Sequence, residues 1–171
     1  MKHEYSAVNE NVLLRPLTEE HIELLRKWRN TPQNTEFLNK VPYITKEMQE
    51  NWFENYLLNR NEMAFAIIET RMLKRMVGSI SLLNFSENRV ECGHIMVGDE
   101  EAHGKQVCEN AIKAALKIAF NEMNMKEVYL YVFKDNIKAV CVYEKVGFKI
   151  TGRFKTRRGE ELLMILKNSV K

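Results

Sequence analysis

The stretch from Asp135 to Phe148 does most to restrict how this chain can fold. Asp135 or Asn136 can cap the start of a helix, and Gly147 supplies its stop. Just before it, Glu127 to Phe133 alternates as a strand, and just after it Lys149 to Phe154 alternates again. A helix that short, held between two strands, has to lie on the face of a sheet. Within it Asn136, Ala139 or Val140, and Tyr143 recur at helical spacing, which puts a small residue and a phenol on adjoining faces.

The rest of the chain supplies the sheet. Val12 to Arg15 reads as a short strand ended by Pro16, and Thr18 then caps a helix that runs through Arg29 to the stop at Pro32. Thr45 caps a second helix, whose Met48, Trp52 and Tyr56 recur every four residues. Ala64 to Glu69 and Met76 to Leu83 form a hairpin over a polar turn, and Val90 to Val97 follows a second turn. A long helix runs from near Lys105 to about Met123. Val107, Ala111, Ala115 and Ala119 give it one apolar face, widened by Ile112, Leu116 and Phe120. Lys149 to Phe154 and Glu161 to Leu166 close the chain as a hairpin. The order β-α-α-β-β-β-α-β-α-β-β predicts an α/β fold of mixed (α+β) character, about seven strands flanked by about four helices. No repeat or linker interrupts it, so residues 1–171 are expected to form a single domain.

Composition narrows the function. No apolar run is long enough to span a membrane, and Met1 to Asn11 lacks the apolar middle of a secretory signal. Three cysteines, Cys92, Cys108 and Cys141, include no C-x-x-C pair, which suits a reducing cytoplasm better than a disulfide framework. The four histidines (His3, His21, His94, His103) show no ligand spacing, so no metal site is expected. With a formal charge of only +3 and no basic run beyond Lys155 to Arg158, a nucleic-acid partner is not expected either.

Two stretches can carry chemistry. Between the strand ending at Val97 and the helix near Lys105, the turn containing Gly104 leaves backbone N–H groups unpaired at a helix start. Such a start, with its dipole, suits a pyrophosphate, and His103 and Lys105 add positive charge. In the second stretch, Tyr143 can donate a proton to a thiolate, since a phenol with a pKa of about 10 stays protonated near neutrality. Cys108 and Cys141 read as small buried residues rather than nucleophiles.

Together these stretches resemble the GNAT superfamily of acetyl-CoA-dependent N-acetyltransferases, from Val12 to about Leu166. The pattern N-x-x-A-x-x-x-Y-E-K-x-G-F is complete from Asn136 to Phe148. Glu91-Cys92-Gly93 fits the family's E-x-G strand, and Gly104 and Lys105 fit its R-G-x-G-x-G/A loop. His103 stands where Arg or Gln is usual, while Gln106 and Cys108 replace small glycines. The resemblance implies that backbone groups of Ile95, Met96 and Val97 hold the pantetheine arm and polarise the acetyl carbonyl. His103, Gly104, Lys105, Gln106, Val107 and Cys108 would cradle the pyrophosphate of acetyl-CoA. Asn136 and Ala139 would flank the arm, and Tyr143 would protonate the departing thiolate. Glu91 is the expected base, with His94 on the opposite face if strand alternation is unbroken and not if a bulge intervenes.

Leu13 to Leu17 and Trp28-Arg29-Asn30 resemble the branch of ribosomal-protein alanine, spermidine and aminosugar N-acetyltransferases. Trp28 to Asn30 together with Tyr131 to Asn136 is similar to enzymes that acetylate a nucleotide-linked aminosugar in pseudaminic acid synthesis. Arg29, Phe37, Tyr43 and Trp52 are candidate acceptor contacts. The expected acceptor is a small-molecule amine; a protein N-terminus, or acyl-CoA binding without catalysis, are the alternatives. A homodimer is common in such a family.

Overall fold

The computed structural model describes residues 1–35 and 42–168. Eight strands form one sheet in the order β1-β2-β3-β4-β5-β6-β8-β7: β1 (Ala7–Asn9), β2 (Val12–Pro16), β3 (Glu62–Glu69), β4 (Arg75–Leu83), β5 (Arg89–Val97), β6 (Glu127–Phe133), β7 (Lys149–Thr156) and β8 (Gly159–Lys167). The helices are α1 (Glu19–Arg29), α2 (Pro32–Thr35), α3 (Lys46–Leu58), α4 (Val107–Lys117) and α5 (Ile137–Val146). The mixed α/β reading holds. Three elements are additional to the expected order: the three-residue strand β1, the four-residue helix α2 and a 3-10 turn at Glu100–Ala102, all too short for periodicity to reveal.

Two apolar clusters sit on opposite faces of the sheet. The larger joins alternate strand residues such as Phe65, Ile67, Ile80 and Val128 to the face of α4. All of Val107, Ala111, Ile112, Ala115 and Ala119 are buried there; the small side chains let the helix approach the strands closely. The smaller cluster joins Ile22, Leu25 and Trp28 of α1 with Phe53 and Tyr56 of α3 over Ala64, Ala66 and Met96. The Met48-Trp52-Tyr56 row divides: Tyr56 is core, whereas Met48 and Trp52 are 47% and 40% exposed beside a cleft.

The caps explain the helix limits. Thr45 Oγ1 accepts from the Met48 N–H at 3.2 Å, and Asn136 Oδ1 accepts from the Ala139 N–H at 3.3 Å. Gly147, with φ of +115°, ends α5, and its N–H and that of Phe148 both return to the Tyr143 carbonyl. The long helix starts later than expected, at Val107 instead of near Lys105, and its last turn, Ile118–Glu122, is a π turn. Cys141, expected to be buried, is exposed on α5, because the face of that helix turned inward carries Tyr143.

A buried carboxylate ties three parts of the fold together. Glu69 is 1% exposed and accepts from the N–H groups of Arg71, Met72 and Leu73 and from Asn11 Nδ2. Asn11 Oδ1 in turn accepts from Asn110 Nδ2 of α4 at 2.8 Å. Burial alone would raise the Glu69 pKa, but these donors hold it down to about 2. A depressed carboxyl stabilises the fold above its unfolded pKa, near 4.5, and that contribution disappears as pH falls toward 2. Glu69→Gln should therefore lower Tm at neutral pH, with the gap from wild type closing on acidification through this window. A pH-independent gap in thermal unfolding would refute that role.

Candidate active site

Strands β5 and β6 are parallel neighbours for only three pairs, Arg89↔Glu127, Val90↔Val128 and Glu91↔Tyr129. Beyond these they separate. A cleft of about 240 Å³ opens between them, walled by Cys92, Gly93 and Ile95 of β5 and by Tyr131, Val132 and Phe133 of β6. Asn136 and Tyr143 of α5 close one side, and Arg158 and Glu161 of the β7–β8 hairpin the other.

The separation coincides with a bulge. Ser79 pairs with Met96 and Ser81 with Gly93, so Ile80 alone faces both His94 and Ile95. His94 has φ of +50°, an uncommon value for a residue with a side chain. The extra residue switches the strand's faces: Val90 and Cys92 belong to the larger cluster, whereas Met96 belongs to the smaller one. Gly78 makes room at the bulge, since a Cβ there would lie 2.1 Å from the Met96 carbonyl oxygen.

A second cleft, of about 420 Å³, lies on the side of α1 and α3, lined by Arg29, Ile44, Met48, Trp52, Glu62 and Met96 among others. His94 borders both clefts. Its Nδ1 lies 2.9 Å from Glu62 Oε1, which also accepts from Ser81 Oγ at 2.8 Å. The Glu62 hydrogen bond raises the His94 pKa against the opposing effect of burial, with Glu91 raising and Arg29 lowering it further. For Glu62, burial pushes the pKa up, but His94, Ser81 and the N-terminal ammonium bring it below the usual value.

Tyr143 is 8% exposed, and its hydroxyl has no hydrogen-bond partner among the described residues. Burial, then the nearby Cys108 and Cys92, raise its pKa, so the phenol keeps its proton throughout the physiological range. Asn136 is the α5 cap, and Ala139, half-buried, receives that cap at its N–H. Of the expected carbonyl-polarising residues, Ile95 walls the inter-strand cleft, Met96 faces the other cleft, and the Val97 carbonyl lies 3.0 Å from His103 Nε2.

The loop before α4 lines neither cleft; Cys108 in the first turn of α4 lies near Tyr143 and Cys92 of the first cleft, and burial pushes its thiol up to about 11. Gly104 has φ of +75°, and Gln106 occupies the cap position at φ of +58° with no side-chain cap bond. Lys105 donates its N–H to the Ala102 carbonyl, and Val107 is buried. The first turn of α4 therefore presents N–H groups without a side-chain acceptor, the arrangement that binds anions.

Glu91 lines neither cleft; its Oε2 accepts from Asn84 Nδ2 at 2.7 Å. Tyr43 is 69% exposed and bound by Arg26, and Phe37 lies outside the described residues. Glu62 was not singled out in the sequence. It precedes the apolar run of β3, and only the bulge on a different strand brings His94 to it.

Comparison with known proteins gives this geometry a family. Residues 11–149 match the model described as Acetyltransferase (GNAT) domain. The chain belongs to the GNAT acetyltransferases. Acetyltransferase PseH of Campylobacter jejuni is 31% identical over 134 residues, 78% of this chain and 80% of that protein. The uncharacterized protein MJ1062 of Methanocaldococcus jannaschii is 27% identical over 155 residues, 88% of this chain; the chain spans only 29% of that relative's length. Spermidine N-acetyltransferase from Vibrio cholerae, solved with CoA and spermine, superposes with a TM-score of 0.82 at 22% identity, covering 94% of this chain and 98% of that one. That likeness establishes the GNAT fold, and the family establishes the enzyme class, an acetyl-CoA-dependent N-acetyltransferase.

The Glu62–His94 contact has a direct readout. The His94 ring should titrate by NMR with a midpoint above the ordinary 6.5, and Glu62→Gln should lower it. A midpoint unmoved by the substitution would mean that the pair does not form in solution.

Proposed function

We propose that this GNAT enzyme acetylates a primary amine of a small molecule by direct attack in a ternary complex. The observation that carries the reading is the meeting of two clefts at the β5 bulge, with a buried, protonated phenol in one and a carboxylate–imidazole pair in the other. Acetyl-CoA, when bound, supplies an activated acyl group. Three features of the chain suit it: a gap between strands, a phenol with no protein partner, and an α4 start with no side-chain cap.

In this reading Asn136 and Ala139 flank the pantetheine arm, and backbone groups of Ile95 to Val97 hold the acetyl end. The loop from His103 to Cys108 takes the pyrophosphate through Gly104 and the N–H groups of Gln106, Val107 and Cys108, since the N–H groups of His103 and Lys105 already donate to the Glu100 and Ala102 carbonyls. Gln106 and Cys108, in place of glycines, leave the backbone donors in position, since the left-handed turn forms at Gly104 and Gln106. Tyr143 gives its proton to the leaving thiolate.

The amine must lose a proton before it attacks. Glu91, the base expected from strand position, is bound to Asn84 and lines neither cleft. Glu62 and His94 are better placed. With Nδ1–H donated to Glu62, the imidazole presents Nε2, which has no protein partner among the described residues, to accept the amine proton. The carboxylate then stabilises the imidazolium that forms.

The second cleft, about 420 Å³ and walled by residues of α1 and α3, has room for a small acceptor. The names of the relatives leave polyamine and other amine acceptors both in view. The free thiols Cys92, Cys108 and Cys141 suit a reducing, cytoplasmic compartment, and a homodimer is part of the same reading. Tyr143→Phe should lower kcat about 100-fold while the calorimetric Kd for acetyl-CoA changes little. Unchanged turnover in a thiol-release assay would remove Tyr143 from the role of acid.

A further inference from the structure

Arg29 is the last residue of α1 and lines the cleft that also holds Glu62 and His94. Its Nε is buried with no hydrogen-bond partner, and among the described residues its guanidinium has no ion pair. This sets it apart. Arg15, Arg26, Arg71, Arg75, Arg89 and Arg153 each have a carboxylate within 4 Å.

The helix end does not satisfy it. The Arg26 and Lys27 carbonyls accept from the Asn30 N–H, and the Trp28 carbonyl from the Thr31 N–H and Asn34 Nδ2. Glu62, the carboxylate in the same cleft, is already bound by His94 and Ser81. The other lining is largely apolar: Leu17, Leu25, Met48, Trp52 and Met96. A half-buried cation without a counter-ion is unfavourable, and a ligand that brings an anion relieves it. Arginine is also the side chain whose planar fork matches carboxylate or phosphate oxygens in pairs.

We propose that Arg29 anchors an oxyanion of the acceptor, so that the amine acetylated here belongs to a molecule that also carries a carboxylate or a phosphate, and not to a polyamine. The inference rests on the acetyltransferase reading for the fate of the amine, but not for the binding of the anion. The amine lies at the Glu62–His94 pair and the oxyanion at Arg29, within one cleft of about 420 Å³. A polyamine would bring further positive charge beside an uncompensated guanidinium, and like charges placed together disfavour binding.

Matched acceptors test this. The Arg29 Nε–H resonance is followed by NMR while the protein is titrated with glucosamine 6-phosphate against glucosamine, and with leucine against leucinamide. A shift with one anionic member and not with its neutral partner is expected, and the responding pair tells phosphate from carboxylate. In thiol-release kinetics, Arg29→Gln should raise KM for that anionic acceptor about 10- to 100-fold with little change in kcat. Arg29→Lys should recover part of the loss, and neutral acceptors should be unaffected. Equal response to both members of each pair, preference for spermidine, or equal loss for all acceptors would overturn the proposal. Failure of acetyl-CoA to bind would instead remove the acetyltransferase reading, and the Nε–H shift would still decide the anion.

Discussion

The rest of the site depends on one extra residue in β5. Because Ile80 faces both His94 and Ile95, the strand turns its faces over halfway along and parts from β6 beyond Glu91. Without the bulge, β5 and β6 would continue their ladder and no gap would exist for an extended ligand. His94 would also lose its position between the two clefts. The left-handed backbone at His94 is strain of the kind that persists where surrounding structure enforces it. Here the enforcement comes from β4 pairing on both sides of the bulge and from the close approach at Gly78.

Around this irregularity the fold holds the residues of the two clefts from different directions. The chain of contacts Glu69–Asn11–Asn110 fixes α4 against the β2 and β3 ends. Lys145 of α5 reaches Glu109 of α4 at 2.6 Å, linking the helix that carries Tyr143 to the helix whose start presents free N–H groups. On the other face α1 and α3 stand over β3 and β4 and leave the larger cleft between them. The clefts proposed for donor and acceptor are thus built on opposite packing layers, and the sheet itself separates them except at the bulge.

Much of this was legible in the sequence because it follows from periodicity and caps. The α5 unit from Asn136 to Gly147, the β3–β4 hairpin and β6 from Glu127 to Phe133 all lie where alternation and capping put them. The apolar row of α4 was equally plain, though its start at Val107 depends on a left-handed cap at Gln106 that composition does not signal. β1 and α2 are too short for any period to show. The assignment of Met48 and Trp52 was harder: four-residue spacing indicates a face of the helix but not whether that face meets core or cleft.

Of the proposed site, the sequence located the residues that would hold the donor and not those that would receive the acceptor. Tyr143 and Asn136 belong to one continuous segment, so local spacing locates them. Glu62 and His94 are 32 residues apart and meet only through the register of three strands and a bulge. Glu91, the nearest carboxylate by strand position, is instead bound by Asn84. The central claim is that the parting of β5 from β6 is the donor site, and amide hydrogen exchange with and without acetyl-CoA tests it most directly. Protection should appear at residues 94–97, 104–109 and 136–139, and not along β1 or β2. Protection absent from β5 and the α4 start, or confined to the cleft beside α1 and α3, would contradict the account.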